Sequence, residues 1–297
     1  MIDVERIRLT DNLYLIPAPN QSRFPFCNSF LITGKQRVLI DTGIGRDNIR
    51  LIDKEKRIDV LIISHSHPDH IVGWETLSDR FLFLPKETPY AVKDLTLLGK
   101  RFAETPERAE YWTKSIARRF DLKVLRDPDG RYGDGDILDF GNFSLKAVHA
   151  PGHLNDHYCF TDTQGQAIIT TDIDFTSFGP WYGNPECDIE VFQQSIRKVM
   201  DMPHTVACSS HKPPVFGNAE QEFKAFMAIF DRQRNLVLDL YNSLHHLEKI
   251  VDASPFYRHR VPDNRLRIMF ETVMVKKNLA LLLRDGLIPS NLSEKNL

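Results

Sequence analysis

Hydrophobic residues in the first two-thirds of the chain fall into short runs that have the composition of β-strands. They cover residues 13–16, 30–33, 37–40, 60–64, 143–148 and 167–171, and such runs predict buried strands. Segments of helical length that mix polar and apolar residues lie between them, at 47–56, 69–78, 105–120 and 185–200. Because strands and helices alternate, the pattern predicts an α/β fold whose layers pack as a sandwich.

A different periodicity begins after Pro213-Pro214. Apolar residues then recur at the spacing of one helix face, at Phe223, Phe226, Phe230, Leu236, Leu240, Leu244 and Leu247. Turn-forming residues at 127–130 and 133–136 mark a return to strands after a helical insertion at about 86–120. We therefore predict one sandwich domain at residues 1–217, which includes that insertion, and a helical C-terminal subdomain at 218–297.

Composition narrows the class of protein without identifying a partner. The hydrophobic fraction of 42% and the charged fraction of 26% are ordinary for globular proteins, and a formal net charge of −2 provides no overall attraction to nucleic acid. The first residues lack the basic and apolar segments of a secretion signal. No apolar run approaches the roughly 20 residues that cross a bilayer, so we expect a cytoplasmic protein without a membrane span.

The cysteines do not form a recognisable framework. Cys27, Cys159, Cys187 and Cys208 are widely spaced and contain no C-x-x-C pair, which predicts reduced thiols packed in the core. Cys208 has an alternative interpretation as a metal ligand, because it precedes His211 closely.

One segment carries most of the candidate chemistry. The predicted strand at 60–64 leads directly into His65-Ser66-His67-Pro68-Asp69-His70. Alternate side chains of extended backbone share a face, so His65 and His67 can converge on one ion. Pro68 suits a helix start, and a turn there would direct Asp69 and His70 to a second ion. The alternative is a polar turn without metal, but imidazole and carboxylate are the ligands that zinc, iron and manganese prefer.

Three further candidates follow strand-like runs downstream. They are His153 in His149-Ala-Pro-Gly-His153, Asp172 after the run at 167–171, and His211 in Ser209-Ser-His211. Each alone can be a turn residue or a helix cap, but together they extend the candidate set to five histidines and two aspartates.

In this order the motifs resemble those of the metallo-β-lactamase superfamily, over about residues 10–215. The resemblance implies a four-layer αββα sandwich as the catalytic domain, with His65, His67 and His153 on a first metal. It places Asp69, His70 and His211 on a second metal and makes Asp172 the bridge between them. Asp41, in Leu39-Ile-Asp-Thr-Gly43, matches an early aspartate of the family and is expected to support the ligands rather than to bind metal.

The same residues favour one branch of that superfamily. Its β-lactamases lack a bridging carboxylate at the position of Asp172, and its flavodiiron proteins carry glutamate at the position of His67. The stretch from Pro151-Gly-His153 to His157 is similar to glyoxalase II, where His157 would either support the ligands or simply begin a strand. The basic glutathione-contacting stretch of that family is not present after Asp172.

The resemblance implies a hydrolase with two divalent ions, zinc first, with iron or manganese as alternatives. A hydroxide shared by the ions would attack an ester, thioester or lactone carbonyl, a thioester being favoured, and Asp69 would orient it as the catalytic carboxylate. The alternatives are a phosphodiesterase or ribonuclease that uses the same ions, and a regulatory protein without turnover.

The substrate is expected to be a small molecule rather than a nucleic acid or a membrane, and a homodimer stays open. Phe24, Phe26, Trp181 and Tyr182 would either line an apolar acyl pocket or pack the C-terminal subdomain against the sandwich. Basic residues near the C-terminus form either a solvated helical face or a contact for RNA; they are Arg258, Arg260, Arg265, Arg267, Lys276 and Lys277.

Overall fold

The strand-forming runs build two β-sheets. The structure is a computed structural model that describes residues 4–258 and 260–289, so positions 1–3 and 290–297 of the predicted domains lie outside it. The first sheet runs in chain order through β1 Ile7–Arg8, β2 Leu13–Ile16, β3 Ser29–Thr33, β4 Arg37–Ile40, β5 Val60–Ile62, β6 Phe81–Pro85 and β7 Gly130–Tyr132. The second sheet has the order β13 Val215–Phe216, β12 Val206–Ser209, β11 Ala167–Thr171, β10 Tyr158–Asp162, β9 Ser144–His149 and β8 Ile137–Asp139.

Helices cover the outer face of each sheet. The first sheet is covered by α1 Arg46–Glu55, α2 Pro68–Ile71, α3 Leu95–Arg101 and α4 Pro106–Trp112, together with a π-helical turn at Thr113–Arg118 and short 3₁₀ turns at Trp74–Leu77 and Tyr90–Lys93. The second sheet is covered by α5 Ile189–Met200, α6 Glu220–Leu244, α7 Leu247–Asp252 and α8 Asn264–Arg284. A short 3₁₀ turn at Asn20–Ser22 lies between β2 and β3. No helix among the described residues is both long and apolar enough to span a membrane.

A shared core joins the two sheets face to face. Its buried side chains come from both sheets, with Leu13, Phe30 and Ile62 on one side and Phe160 and Ile169 on the other. Because each sheet also buries its outer face under helices, the fold is the four-layer αββα sandwich that the resemblance implies.

Two helical predictions differ from the structure in detail. The segment 69–78 forms two short helices rather than one, because Gly73 adopts a left-handed φ of 93° between them. In α6 the stripe is buried at Phe223 and Phe226, but further along the buried positions are Val237 and Tyr241. The predicted Leu236, Leu240 and Leu244 are only half-buried. The buried face continues unchanged through Phe230, Val237 and Tyr241, and Leu236 and Leu240 lie beside it.

The strand directions bring the candidate residues to one edge of the sandwich. β4, β5 and β6 are parallel, and β11 is parallel to β12. β9 also runs in the direction of β11, because both are antiparallel to the strand between them. The carboxyl ends of these strands therefore open on the same side, and the predicted ligands follow those ends.

The packing of α6 can be tested at Phe223, which is fully buried and lies 4.8 Å, centroid to centroid, from Phe175. We expect Phe223→Ala to lower the free energy of unfolding by about 3–5 kcal/mol, because the substitution leaves a cavity. Urea unfolding measures it, and Phe216→Ala is the matched control because Phe216 is 63% exposed. Equal stability losses in the two variants would contradict the packing of α6 on the second sheet.

Candidate metal centre

The turn after β5 is held in place by the buried carboxylate of Asp41. Its Oδ1 accepts the backbone N–H of Ser64 at 2.8 Å and its Oδ2 accepts the Ser64 hydroxyl at 2.7 Å. The same Oδ2 lies 2.8 Å from Nδ1 of His70, and the Ser64 hydroxyl lies 3.1 Å from Nδ1 of His65. Asp41 therefore supports the ligand turn from behind, the role that the sequence predicts for it.

Four side chains form a first half-site. Nδ1 of His67 lies 3.1 Å from Nε2 of His65 and 2.8 Å from Nε2 of His153. Oδ2 of Asp172 lies 3.1 Å from Nε2 of His153 and 3.5 Å from Nε2 of His65. All four donor atoms lie within 4.8 Å of one another, so one cation can be shared among them.

A second half-site lies on the other side of Asp172. Its Oδ1 is 3.0 Å from Nε2 of His70 and 3.7 Å from Nε2 of His211. Oδ2 of Asp69 is 3.5 Å from Nε2 of His211. The seven predicted ligands are thus brought together. Asp172 belongs both to the first half-site and to a group with His70 and His211, and Asp69 joins the second half-site through a group with His70 and Cys27.

The ring nitrogens that face away from the first half-site also have partners. Nε2 of His67 lies 2.8 Å from the side-chain amide of Asn184. Nδ1 of His153 donates to the backbone carbonyl of Trp181 at 2.9 Å. Such contacts fix the ring orientation and the tautomer of a metal-binding histidine.

His211 is held by the loop between β2 and β3. Its Nδ1 donates to the carbonyl of Ser22 at 2.6 Å. The buried side chain of Asn28 joins that loop to the turn after β12, since it accepts from the Ser22 hydroxyl and donates to the carbonyl of Ser209 at 3.0 Å. The first and last parts of the sandwich therefore meet at this histidine.

Local backbone geometry directs Asp172 into the centre. Thr171 has a left-handed φ of 47°, next to a register shift where β11 pairs with β12. His157 supports this turn, because its Nδ1 donates to the carbonyl of Ala150 at 2.7 Å and its Nε2 accepts from the N–H of Asp172 at 3.2 Å. Burial lowers the pKa of His157 to about 3, so the ring is neutral and Nε2 is free to accept. His157 is thus a supporting residue rather than the start of a strand.

Gly152 in Pro151-Gly-His153 is required by close packing. It has a φ of 112°, and a Cβ added there would lie 2.2 Å from the backbone nitrogen of Phe192. Only glycine lets the turn that carries His153 approach α5 this closely.

The protonation of the cluster suits metal binding. Burial and the neighbouring imidazoles lower the pKa of His65 and of His67 well below the usual value, so both rings are neutral. Burial raises the pKa of Asp172, but His70 and His65 outweigh burial and the carboxylate stays ionised. Burial opposes charge on His211, but the carboxylates beside it, Asp172 first, raise its pKa to about 9. A bound cation would replace that proton, as metal binding to histidine generally does.

The donor set fits two divalent ions. Oδ1 of Asp172 and Nε2 of His70 lie 3.0 Å apart, but neither makes a well-formed hydrogen bond among the described residues, although a buried polar atom ordinarily does. Both point to the place where the second half-site would hold a cation. Imidazole nitrogens and carboxylate oxygens together suit zinc, iron or manganese.

The four cysteines are free and buried, as the sequence predicts. Cys208 packs in the core and its thiol donates to the carbonyl of Ile168 at 3.3 Å. Cys27 lies beside Asp69 and His70, which the sequence did not predict. Burial raises the pKa of Cys27 to about 12, and its thiol donates to the carbonyl of Asp69 at 3.3 Å, so it acts as a neutral packing group.

Sequence reasoning also missed Arg101. This arginine of α3 donates to the hydroxyl of Ser66 inside the ligand motif and pairs with Asp156 at 2.9 Å and with Glu186 at 2.6 Å. Nothing in a single helix of the insertion marks such a contact, because its partners come from three other parts of the chain.

The four aromatic candidates divide between packing and the site. Tyr182 is fully buried and its hydroxyl donates to Gln233 at 2.7 Å, so it packs the C-terminal helices. Phe26 packs partly buried against the core beneath the first sheet. Trp181 is half-buried, with its ring centroid 5.2 Å from that of His67, and Phe24 is 47% exposed.

The chain is similar to known proteins in sequence and in fold. Residues 23–211 match the model of the metallo-beta-lactamase superfamily. The solved structure of a metallo-beta-lactamase family protein from Thermus thermophilus is similar, with a TM-score of 0.73 over 95% of this chain and 96% of that one. The sequence identity is 18%, so this likeness shows a common fold.

Two curated relatives carry enzyme names. An atrochrysone carboxyl ACP thioesterase from Aspergillus fumigatus is 23% identical over 243 residues, which is 80% of this chain and 66% of that protein. A hydroxyacylglutathione hydrolase from Francisella philomiragia is 24% identical over 146 residues, which is 49% of this chain and 46% of that protein. The chain thus spans about half to two thirds of the length of these relatives.

The support from Asp41 leads to a prediction about metal affinity. We expect Asp41→Asn to weaken binding at the second half-site by about 10–100-fold, because the carboxylate that orients His70 becomes a neutral amide. Competition titration of the purified protein with Zn²⁺ and a chromophoric chelator measures it. Asp11→Asn is the matched control, since the Asp11 side chain is 89% exposed, and an affinity equal to that of the control would contradict the role of Asp41.

Proposed function

This chain belongs to the metallo-beta-lactamase superfamily, and from that premise we propose that it is a dinuclear metallo-hydrolase that cleaves thioesters, with esters and lactones as related substrates. The observation that carries the proposal is the carboxylate of Asp172, which reaches both groups of histidines. A carboxylate placed between two groups of ligands could bind one cation with each oxygen, and two cations held in this way could act together on one carbonyl group.

The residues that would hold the ions are those of the two half-sites. His65, His67 and His153 would hold the first, Asp69, His70 and His211 the second, and Asp172 both. Two such ions supply an activated water as nucleophile and a Lewis acid for the carbonyl oxygen.

The chain itself contributes a carboxylate beside the reacting centre. Asp69 is 5% exposed, and its Oδ2 lies 3.5 Å from Nε2 of His211, so its carboxylate faces the second half-site, where it could accept a proton from a bound water. Asp69 would orient the attacking water and accept its proton. A thiolate needs little help to leave, because the pKa of a thiol is about 8.5, so a thioester places the smallest demand on a general acid.

Aromatic side chains lie near both half-sites. Trp181 is beside His67 of the first, and Phe24 is two residues from Ser22, which holds His211 of the second. The ring of Trp181 packs against Phe270 at 5.5 Å, and the exposed ring of Phe24 packs against Phe120 at 5.5 Å. Half-buried aromatic side chains are typical of sites that bind an apolar group. Trp181 and Phe24 would therefore contact the acyl chain, whereas Tyr182 is committed to the helices.

The basic residues favour a carbonyl substrate over a phosphodiester. Arg101 reaches the motif, but its charge is balanced by Asp156 and Glu186. In the C-terminal cluster, Lys276 pairs with Glu104 and Arg265 lies over the ring of Tyr111. Such contacts join α8 to the insertion, so these residues would serve packing rather than RNA binding.

The names of the relatives support the same substrate class. A carboxyl ACP thioesterase and a hydroxyacylglutathione hydrolase both act, by name, on an acyl group attached to a carrier. We propose that this chain also acts on an acyl thioester of a carrier, without assigning the carrier.

A substrate panel tests the proposal. We expect metal-loaded protein to hydrolyse acyl-coenzyme A, S-acyl glutathione and acyl-carrier-protein thioesters with a higher kcat/KM than p-nitrophenyl esters, lactones or bis-p-nitrophenyl phosphate. Asp69→Asn should lower kcat by about 100- to 10,000-fold, the usual contribution of a general base. Thiol release, followed with a colorimetric thiol reagent, measures it.

The control is His246→Ala, since His246 is an exposed histidine at the start of α7. It should keep the activity of the native chain. Faster turnover of the phosphodiester would favour the phosphodiesterase alternative, and no turnover of any substrate with both ions bound would favour a regulatory role.

A further inference from the structure

Residues 178–187, here called the crossing segment, lie between the metal centre and the C-terminal helices. The segment follows Asp172 in the chain and ends just before α5. It touches the ligands of the first half-site on one side and α6 and α8 on the other, so the two parts of the protein meet through it.

The crossing segment supplies both outer contacts of the first half-site that lie beyond the ligand motif. The carbonyl of Trp181 accepts from Nδ1 of His153, and the buried amide of Asn184 lies 2.8 Å from Nε2 of His67. Asn184 is 1% exposed, so water cannot replace its amide as the partner of His67.

The C-terminal helices hold the crossing segment through buried polar contacts. The hydroxyl of Tyr182 donates to Gln233 of α6 at 2.7 Å and accepts from Asn278 of α8 at 3.0 Å. Lys277 donates to the carbonyl of Pro185 at 3.0 Å. The indole N–H of Trp181 donates to the hydroxyl of Tyr257, in the connection between α7 and α8.

That connection is itself fixed by α8. One oxygen of the buried Glu271 accepts the N–H of Tyr257 at 2.8 Å, the N–H of Phe256 at 3.2 Å and the hydroxyl of Ser254 at 2.7 Å. A continuous series of contacts thus leads from Glu271 through Tyr257 and Trp181 to His153.

The second half-site has no such link among its described contacts. Nδ1 of His70 faces Asp41, and Nδ1 of His211 donates to Ser22. Both partners belong to the sandwich. Asp41 and Ser64 also reach His65, so the sandwich supports both half-sites, and among the described contacts the C-terminal helices add support to the first one alone.

We propose that Asn184 is a positioning residue that fixes the tautomer of His67, and that the C-terminal helices stabilise the first half-site by holding the crossing segment. The inference rests on the metal centre but not on the substrate of the proposed function. It assigns to the C-terminal helices a part in metal binding at one ion only.

The tautomer follows from the geometry of the ring. Nδ1 of His67 faces His65, His153 and Asp172, so Nδ1 must carry the lone pair that binds a cation. Nε2 then carries the proton. The structure has the amide nitrogen Nδ2 of Asn184 at 2.8 Å from Nε2, so the amide group must turn by 180° to present its oxygen to that proton, since an amide has a donor on one side and an acceptor on the other. Aspartate of the same shape can also accept this proton, whereas leucine cannot.

Three variants test the proposal without an activity assay. Zn²⁺ titration is followed by NMR of the imidazole nitrogens, because signals of His67 and His153 report one ion and those of His70 and His211 report the other. We expect Asn184→Leu to lower the affinity for the first ion by about 10–100-fold. The affinity for the second ion should stay close to its native value. Asn184→Asp should restore the affinity for the first ion and keep the proton on Nε2 of His67.

Tyr182→Phe removes only the hydroxyl that joins the crossing segment to α6 and α8. It should lower the affinity for the same ion as Asn184→Leu does, by a smaller factor. The variant should still show the native circular dichroism spectrum. Asp41→Asn is the comparison variant. It should weaken binding of the second ion more than the first, because Asp41 faces His70 directly at 2.8 Å and reaches His65 only through Ser64.

Three results would overturn the inference. The first is native affinity for the first ion in Asn184→Leu. The second is an equal loss of affinity for both ions in that variant. The third is an affinity for the first ion in Asn184→Asp that is as low as in Asn184→Leu. A Tyr182→Phe variant with native affinity would overturn the part assigned to the helices. Because no outcome depends on turnover, failure of the proposed thioesterase activity would be recognised separately.

Discussion

Burial of the Asp172 carboxylate between two groups of imidazoles is the constraint on which the rest of the structure depends. An ionised carboxylate in the interior is strongly unfavourable unless charges or hydrogen bonds compensate it. Here His65 and His153 face one oxygen, and His70 and His211 face the other. Each histidine ring must be oriented towards its carboxylate oxygen, and this requirement restricts the backbone conformation around the centre.

Residues behind the candidate ligands, rather than the ligands themselves, hold the histidine rings in these orientations. Asp41 orders the ligand turn, His157 supports the backbone of Asp172, and Gly152 allows the turn at His153 to meet α5. Positive φ at Asp41 and Thr171 shows that the chain accepts unfavourable backbone conformations at this edge. Such conformations persist only where the surrounding packing imposes them.

The helices after residue 219 also help to hold the residues of the metal centre in place. They bury one face against α5 and the second sheet, and their polar side chains reach the crossing segment. The aromatic side chains shared by the two parts divide accordingly, with Tyr182 in the packing and Trp181 beside both His67 and Phe270. An acyl chain bound against Trp181 would thus contact a surface that both parts of the protein build.

The sequence by itself determined the sandwich class, the edge at which chemistry occurs and the seven candidate ligands. It could do so because strand-forming runs are local, and because histidines and aspartates that follow parallel strands must emerge on one side. The tertiary structure alone decided the outer contacts: Asn184 lies 117 residues from His67, and Ser22 lies 189 residues from His211. Backbone carbonyls such as those of Ser22 and Trp181 carry no mark of residue type, and packing against distant elements decides which apolar residues of α6 are buried. Local pattern therefore identified the candidate ligands, whereas the groups that orient them depend on contacts that only the folded chain creates.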